Sequence, residues 1–421
     1  MRTAISILAA HVLSMLGFSS YAVSLVELQD LWQLSNTESG LVASAFFIGY
    51  MSLVSMWNAL TDQHDPRRIY VLGSLMAAAG SLGFGLFASG FVSGFFWQFL
   101  LGAGVAATYM PGLRILSDQF EPGARQSRFV SFYTAFFGVG AAASLWLSGW
   151  AVDALDWHWS FGLASLGPIA AMVLIWLVTS PRPKGLDALP NLARSTDGPH
   201  WVWRWVVTIF PWPAWKLAWQ SPSVRGYTVG YGVHCLELFG SRAWTVAFLV
   251  FAFGVSAGAS PWSAAAVAAF VNLISTPASI LGNEFALRMG RRRWIAWVMA
   301  SGSLVGVAMA LLAQGPWWLV VVLVSLHSCL LMADSATLTA GFVGSAPSEV
   351  KGAAMGLYSL VGFGLAAVGP AVFGLALDLS GGAQAPLAWA AAFLAIGAGC
   401  LGYVFAERRL FRGDGSAQLR L

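Results

Sequence analysis

The 421-residue sequence is poor in charge, since Asp, Glu, Lys and Arg make up 10% of it while 58% is hydrophobic. Soluble domains carry about 25% charged residues, so this composition excludes an ordinary soluble protein. Cysteine is scarce as well. The three cysteines, Cys235, Cys329 and Cys400, lie in apolar runs, so the sequence predicts neither a disulfide framework nor a metal site.

Signals for nucleotide or nucleic-acid binding are also missing. The sequence has no G-x-x-x-x-G-K-[ST] loop, which argues against transport driven directly by ATP. The formal net charge is +4, but the basic residues are needed for membrane topology, so no nucleic-acid partner is expected. No cofactor is predicted either.

Long apolar runs are what the sequence has instead. Twelve of them are long enough to cross a bilayer as helices. They lie at 4–27, 39–60, 69–90, 92–117, 128–152, 160–179, 226–253, 262–286, 294–313, 316–342, 352–377 and 386–407. We therefore predict an all-α membrane protein with twelve transmembrane helices.

The distribution of lysine and arginine predicts the orientation. With the N-terminus in the cytoplasm, all of the 22 Lys and Arg residues except Arg242 fall in cytoplasmic segments, as the positive-inside rule requires. We expect a multi-pass, monomeric protein of the cell membrane, in a bacterium the inner membrane. Both termini are expected to be cytoplasmic.

An internal repeat divides the chain. A shift of 225 residues superposes loop and helix-end positions such as Ser35 on Ser260 and Asp153 on Asp378. This pattern predicts two parallel six-helix halves, of the kind that build transporters. We place the halves at 1–180 and 223–410, with a cytoplasmic linker at 181–222 and a tail at 411–421. The tryptophans of the linker are typical of a segment that lies in the membrane interface.

The seventh run carries ionisable residues, which are costly at membrane depth. His234, Glu237 and Arg242 fall on a common half of the helix, with Tyr231 near His234, because successive residues rotate by about 100°. Two interpretations remain open. The residues form either a buried ion pair that fixes helix packing, or a polar stripe that handles substrate and protons in a central cavity.

The chain resembles the major facilitator superfamily, and within it a bacterial branch, in its twelve spans, its two halves and its long central loop. The loop after the second helix, 58–68 (NALTDQHDPRR), keeps the superfamily's Asp and paired Arg but replaces two glycines. The matching stretch 283–293 (NEFALRMGRRR) keeps Gly-Arg-Arg but has Leu287 in place of the Asp. By this resemblance Asp62, Arg67 and Arg68 are gating residues.

The resemblance also implies that helices one, four, seven and ten line a central cavity. The candidate substrate-binding residues there, with one from helix eight, are His11, Gln98, Tyr109, Tyr231, His234, Arg242, Asn272 and His327. Glu237 and Asp334 are the candidates for proton coupling, although silent pairing of Asp334 with a histidine remains open. Asp153 and Asp378 end matched helices, so we expect a structural cap or a gate latch at each.

Together these patterns predict a secondary active transporter that moves a small organic solute by alternating access. Arg242 would attract an anionic group of the substrate, and proton exchange at Glu237 and Asp334 would drive uptake. Efflux by proton antiport, an intramembrane enzyme such as an acyltransferase, and a non-transporting sensor or assembly factor are the alternatives. The twofold repeat counts against the enzyme, and the charged residues of the cavity count against the sensor.

Overall fold

The computed structural model describes residues 2–120, 124–181, 210–347 and 350–412, and this part of the chain is almost entirely helical. The first half contains α1 (Arg2–Ser14), α2 (Ser20–Trp32), α3 (Asn36–Gln63), α4 (Pro66–Phe87), α5 (Phe91–Ser117), α6 (Ala124–Ala154) and α7 (Trp157–Val178). Helix α8 (Trp212–Gln220) lies in the predicted linker. The second half contains α9 (Pro222–Val255), α10 (Ala264–Met289), α11 (Arg291–Leu311), α12 (Trp317–Ala333), α13 (Ser335–Ser345), α14 (Lys351–Leu379) and α15 (Pro386–Leu410). The expected all-α architecture is confirmed.

Eleven helical stretches among the described residues are long and apolar enough to cross a membrane. They coincide with eleven of the twelve predicted runs, and their ends differ from the predicted ends by only a few residues. Two of the helices, α12 and α13, together form one such stretch, Trp317–Ser345. A multi-pass membrane protein is therefore supported by length and composition.

The first predicted run differs from the expectation of one continuous helix. Its helix stops at Ser14 and resumes at Ser20, and Ser144 of α6 binds both sides of the break. The Ser144 hydroxyl accepts from the Ser19 N–H at 2.9 Å and donates to the Leu16 carbonyl at 2.6 Å. Because backbone groups freed inside a membrane need partners within the protein, Ser144 makes this break possible.

Part of the predicted linker, 182–209, and the tail from residue 413 lie outside the described residues. Of the linker tryptophans, those in α8 are described. Trp215 is buried and its indole N–H donates to the Ala353 carbonyl at 2.9 Å, while Trp212 is exposed. This arrangement docks α8 on α14, and its place in the membrane interface remains a prediction.

The helices run between two faces of the bundle. The terminal face is the one at which α1 begins and α15 ends. The loop face is the opposite one, where α2 leads into α3 and α14 leads into α15. At the loop face α3 and α14 approach so closely that a Cβ on Gly40 would overlap the Pro370 carbonyl oxygen, and one on Gly374 would overlap that of Asn36. Small residues permit such backbone contact between membrane helices.

Contacts between the halves continue to the middle of the bundle. The ring centres of Phe47 and Phe239 lie 4.7 Å apart, and the ring centres of Tyr50 and Phe363 lie 4.6 Å apart. Beyond this level, toward the terminal face, Asn58 of α3 and Met355 of α14 are exposed. The halves are thus joined at the loop face in this conformation.

Candidate functional site

A cavity lies between the halves at the level of the break in the first helix. The volume open to a water-sized sphere is about 50 Å³, which is room for a few water molecules. Its lining consists of Phe18, Ser19, Tyr21, Ala22, Ala43, Phe46, Phe47, Gln98, Ala141, Leu145, Phe239, Arg242, Ala243 and Asn272. The structure thus brings together three of the predicted binding residues, Gln98, Arg242 and Asn272.

Arg242 of α9 is the cationic residue of this lining. Its guanidinium contacts only weak partners, since Nη2 lies 3.4 Å from the Met332 sulfur and the group lies 6.0 Å from the Phe239 ring centre. The Nε atom is buried and has no hydrogen-bond partner among the described residues. No described carboxylate lies within ion-pair distance of it. Arg242 is half-buried, and a charge partly removed from water without a partner is costly, so the site favours an anion from outside the chain.

Two amide side chains in the same lining also have free polar atoms. Gln98 of α5 is 3% exposed and its Nε2 has no partner among the described residues. Asn272 of α10 is 5% exposed; its Nδ2 donates to the Ala268 carbonyl at 3.0 Å, and its Oδ1 accepts no hydrogen bond from the described part of the chain. Buried polar groups are normally hydrogen-bonded, so the cavity presents one free donor and one free acceptor.

His234 and Asp334 form a buried pair next to this region. The Nδ1 atom of His234 in α9 lies 2.8 Å from Oδ1 of Asp334, and both side chains are 2% exposed. The approach lacks hydrogen-bond geometry, so Asp334 Oδ1 has no hydrogen-bond donor among the described residues. The histidine partner that the sequence left open for Asp334 is therefore present, on another helix.

Asp334 lies where the tenth span is interrupted. It separates α12 from α13, and the carbonyl of the preceding Ala333 accepts a hydrogen bond from the Trp294 indole N–H at 3.0 Å. A partner from α11 thus satisfies a backbone group freed at the interruption. A broken helix at membrane depth is tolerated where the freed groups are satisfied, and it places a carboxylate at the joint.

Glu237 points away from the cavity into the second half. It is 2% exposed and accepts a hydrogen bond from the Ser303 hydroxyl of α11 at 2.9 Å. A Cβ on Gly397 of α15 would lie 3.2 Å from its Oε1. The polar residues of the seventh span therefore face three different neighbourhoods, with Arg242 toward the cavity, His234 toward Asp334 and Glu237 toward α11 and α15.

The two other candidate histidines are buried inside one half each. The ring centre of His327 lies 5.6 Å from that of Phe393, and its Nε2 has no hydrogen-bond partner within the described ranges. His11 is stacked on Tyr133 at 4.1 Å, and neither of its ring nitrogens has a partner among the described residues. Neither histidine lines the cavity.

The two candidate tyrosines take part in aromatic clusters. Tyr109 packs 5.3 Å from the His11 ring in the first half. Tyr231 is stacked on Tyr358 at 4.0 Å and lies 6.0 Å from the His234 ring. Tyr231 thus stays near His234, as the sequence predicts.

The candidate latch residues Asp153 and Asp378 differ in the structure. Asp378 caps the start of α3 in the other half, where its carboxylate accepts from the N–H groups of Asn36 and Thr37 at 3.1 and 2.8 Å. The side chains of the same two residues donate to it at 2.7 and 2.6 Å. Asp153 is exposed, and no described basic residue forms an ion pair with it. One of the two matched aspartates therefore joins the halves.

The candidate gate after the second helix contacts its own half. Arg67 is paired with Asp65 at 2.7 Å and donates to the Thr179 carbonyl at 2.9 Å, while Arg68 is exposed. Partial burial raises the pKa of Asp65, but the hydrogen bonds and charge of Arg67 outweigh it, so the pKa is lowered from its ordinary value. The side chain of Asp62 lies outside those that the structure describes.

Sequence reasoning missed the break between α1 and α2 and the serine that holds it. Ser19, Tyr21 and Ala22 line the cavity because the helix is interrupted there. A glycine followed closely by two serines, Gly17, Ser19 and Ser20, was the available signal, since glycine and serine mark interruptions of helices. Ser144 carries no such local signal.

Comparison with known proteins gives partial sequence matches. Protein spinster homolog 3 of Danio rerio is 28% identical over 169 residues, 38% of this chain and 32% of that protein. Peptide transporter YePEPT of Yersinia enterocolitica is 28% identical over 174 residues, 39% of this chain and 34% of that protein. The match to the spinster proteins of Danio rerio and Xenopus tropicalis covers 32% and 38% of their lengths.

Solved structures match over nearly the whole chain. A bacterial homolog of the human lysosomal transporter Spinster, inward-facing and unoccupied, has a TM-score of 0.73 at 14% identity, covering 97% of both chains. A peptide transporter POT in complex with sulfate has a TM-score of 0.74 at 15% identity, covering 98% of this chain and 95% of that one. At these identities the likeness shows the fold.

The family itself is shown by sequence. A family profile described as Major Facilitator Superfamily matches residues 7–370, which is most of the chain. Family and fold together make this a membrane transport protein rather than an enzyme. The chain belongs to the Major Facilitator Superfamily.

Proposed function

We propose that this protein is a secondary active transporter of small organic anions that works by proton-coupled uptake across a bacterial inner membrane. The observation that carries the proposal is Arg242, whose half-buried guanidinium lines the cavity between the halves without a carboxylate partner among the described residues. An arginine binds a carboxylate through two parallel N–H···O bonds. A substrate carboxylate would supply the missing partner.

Alternating access follows from the contacts between the halves. The Asp378 latch and the glycine contacts hold the loop face closed. Near the terminal face, Arg67 interacts within its own half. We place the terminal face in the cytoplasm, because the basic residues cluster in its loops. The described conformation would then release substrate to the cytoplasm, and the opposite one would load it.

Proton coupling is assigned to His234 and Asp334. A histidine and a carboxylate this close attract each other when both are charged, and adding a proton to Asp334 removes the charge that attracts a protonated His234. Glu237 lies one helical turn from His234 and accepts from Ser303, so it offers a second proton site. Because Asp334 sits at the joint of α12 and α13, its charge state can bias the angle between them.

The test of substrate charge is uptake of radiolabelled carboxylic acids and their amides into proteoliposomes. We expect Arg242→Gln to reduce carboxylate uptake roughly 30-fold, because a buried charge partner is worth about 2 kcal/mol or more. Arg288→Gln is the matched control, since Arg288 is exposed and outside the cavity. Equal transport of acids and amides, or carboxylate uptake unaffected by Arg242→Gln, would contradict an anionic substrate.

The test of coupling uses an imposed pH gradient in the same vesicles. We expect Asp334→Asn to abolish the stimulation by the gradient while exchange of labelled for unlabelled substrate continues, because exchange needs no net proton movement. Gradient-driven uptake that survives this substitution would remove Asp334 from the coupling mechanism. Efflux driven by an inwardly directed proton gradient would instead identify an antiporter.

A further inference from the structure

We infer that the break in the first transmembrane helix is an anion-binding element, and that it and Arg242 hold the carboxylate of one hydroxymonocarboxylate from opposite halves. This inference rests on the proposed function and specifies the substrate class. It assigns the carboxylate to the N-terminal N–H groups of α2, the Gln98 amide and Arg242. It assigns the substrate hydroxyl to Asn272.

The start of α2 presents free backbone donors. The N–H groups of Ser20, Tyr21 and Ala22 find no acceptor among the described residues, whereas Ser144 takes the N–H of Ser19. Tyr21 and Ala22 line the cavity. The first turn of a helix carries unpaired N–H groups and a partial positive charge, and it binds carboxylates and phosphates for that reason. In transporters, the N-termini of broken membrane helices commonly point at anionic substrate groups.

Gln98 is an independent indication of a ligand at this place. It is 3% exposed, lines the same cavity, and leaves its Nε2 donor unpartnered. An unpaired buried donor destabilises the protein, and a carboxylate oxygen would satisfy it. The first half therefore offers the ligand both main-chain and side-chain N–H groups.

The internal repeat places the two positive elements at equivalent positions. Arg242 follows Gly17, the centre of the break, by the same 225 residues that relate Ser35 to Ser260. The first helix thus uses a helix N-terminus where the seventh uses a guanidinium. An anion held by both would draw the halves together around the cavity, as alternating access requires.

The remaining lining defines the rest of the ligand. Asn272 commits its Nδ2 to the Ala268 carbonyl and leaves Oδ1 free, so this group requires a donor on the substrate. The described residues of the lining include no Asp or Glu, which disfavours an amine as that donor and favours a hydroxyl. The rings of Phe18, Phe46 and Phe239 supply an apolar wall, which suits a short hydrocarbon body.

The experiment measures binding to the purified full chain by thermal stabilisation and by equilibrium dialysis. The probes are lactate and mandelate, each with its amide and with the acid that lacks the hydroxyl, propionate and phenylacetate. We expect at least one hydroxy acid to bind about tenfold more tightly than both of its analogues, since each analogue leaves a buried polar group unpaired. Binding of the analogues as tight as that of both hydroxy acids would overturn the assigned substrate class.

Substitutions at Gln98 separate this inference from the proposed function. We expect Gln98→Glu, which puts a negative charge beside the carboxylate, and Gln98→Met, which removes the donor at similar size, each to weaken binding of the hydroxy acid about tenfold or more. Gln119→Glu is the control, because Gln119 is an exposed glutamine just beyond α5. Circular dichroism and melting temperature identify a variant that fails to fold.

The binding results of the Arg242 and Gln98 variants distinguish failure of this inference from failure of the proposed function. If Arg242→Gln abolishes binding while both Gln98 variants bind normally, the carboxylate is not held from the first half as assigned, the two-sided site is wrong and the proposed function stands. Should Arg242→Gln and the Gln98 variants all bind normally, the proposed function and this inference fail together. Loss of binding in both sets, with Gln119→Glu unaffected, supports the two-sided site.

Discussion

Two corners of the loop face are related by the internal repeat, and they differ in what holds them. At one corner Asp378 of α14 accepts hydrogen bonds from the N–H groups of Asn36 and Thr37. At the other, the equivalent Asp153 of α6 is exposed. The residues that match Asn36 and Thr37 at the 225-residue shift are Pro261 and Trp262. Proline has no N–H to donate, so the second corner cannot form the same latch.

The helix that starts at the second corner is capped from within. The Ser263 side chain accepts a hydrogen bond from the Ala266 N–H at the start of α10. In contrast, α3 combines its own cap, Ser35 with Glu38, with the carboxylate of the other half. A repeated aspartate therefore becomes a contact between halves only where the facing helix leaves N–H donors free. The bundle is held more strongly by its α3–α14 corner.

The largest difference between the two corners is expected when each aspartate carboxylate is removed in turn. We expect Asp378→Ala to shift the equilibrium toward an open loop face about tenfold or more, because hydrogen bonds to a charged group contribute about 1.5–3 kcal/mol each. The matched Asp153→Ala should leave the equilibrium unchanged. Spin labels on cysteines at Leu155 and Leu387, both exposed near this face, in a background without native cysteines, report the opening as a longer distance.

A contrary result would be equally informative. If Asp153→Ala lengthens the distance as much as Asp378→Ala does, the two corners are equivalent in the working molecule. The asymmetry would then belong to one conformation only. An unchanged distance in Asp378→Ala would remove the latch role altogether and leave the glycine contacts as the main interaction.

The same comparison shows what the sequence can predict. Long apolar runs predict the spans well, because each is a local feature of composition, and the repeat predicts that Asp153 and Asp378 are equivalent. It cannot predict that one of them is unpaired, since that depends on whether a residue on another helix can donate. The pairing of His234 with Asp334 could not be predicted for the same reason, because the two residues lie on different helices. Arg242 could be predicted as a site residue because a lone charge at membrane depth is itself unusual.

The break in the first helix shows a second limit of the sequence. The run 4–27 contains no charge between Arg2 and Glu27 and no proline, so a continuous helix was the natural prediction. What favours the interruption is Ser144, more than a hundred residues away, whose hydroxyl accepts from the Ser19 N–H and donates to the Leu16 carbonyl. The gap between prediction and structure therefore falls where a distant side chain replaces a helical hydrogen bond. The cavity lies at the same place.

The smaller expected effect concerns the glycines beside each aspartate, Gly374 and its equivalent Gly149. A Cβ on Gly374 would overlap the backbone of Asn36, whereas one on Gly149 would meet chiefly the methyl group of Ala265, 2.5 Å away. We expect Gly374→Ala to lower the melting temperature and open the loop face, at a cost of about 1–3 kcal/mol for overpacking. Gly149→Ala should lower the melting temperature less and open the loop face less, because less of the opposite helix has to move.

A compensating substitution distinguishes the side-chain contact at Gly149 from the main-chain contact at Gly374. Ala265→Gly removes the methyl group that a Cβ at residue 149 would meet, so we expect the pair Gly149→Ala and Ala265→Gly to regain the wild-type melting temperature and label distance. No side-chain truncation of Asn36 can relieve Gly374→Ala in this way, because the obstacle there is a main-chain carbonyl. If Asn36→Ala did restore Gly374→Ala, the contact would be between side chains, and the α3–α14 corner would be no tighter than the other.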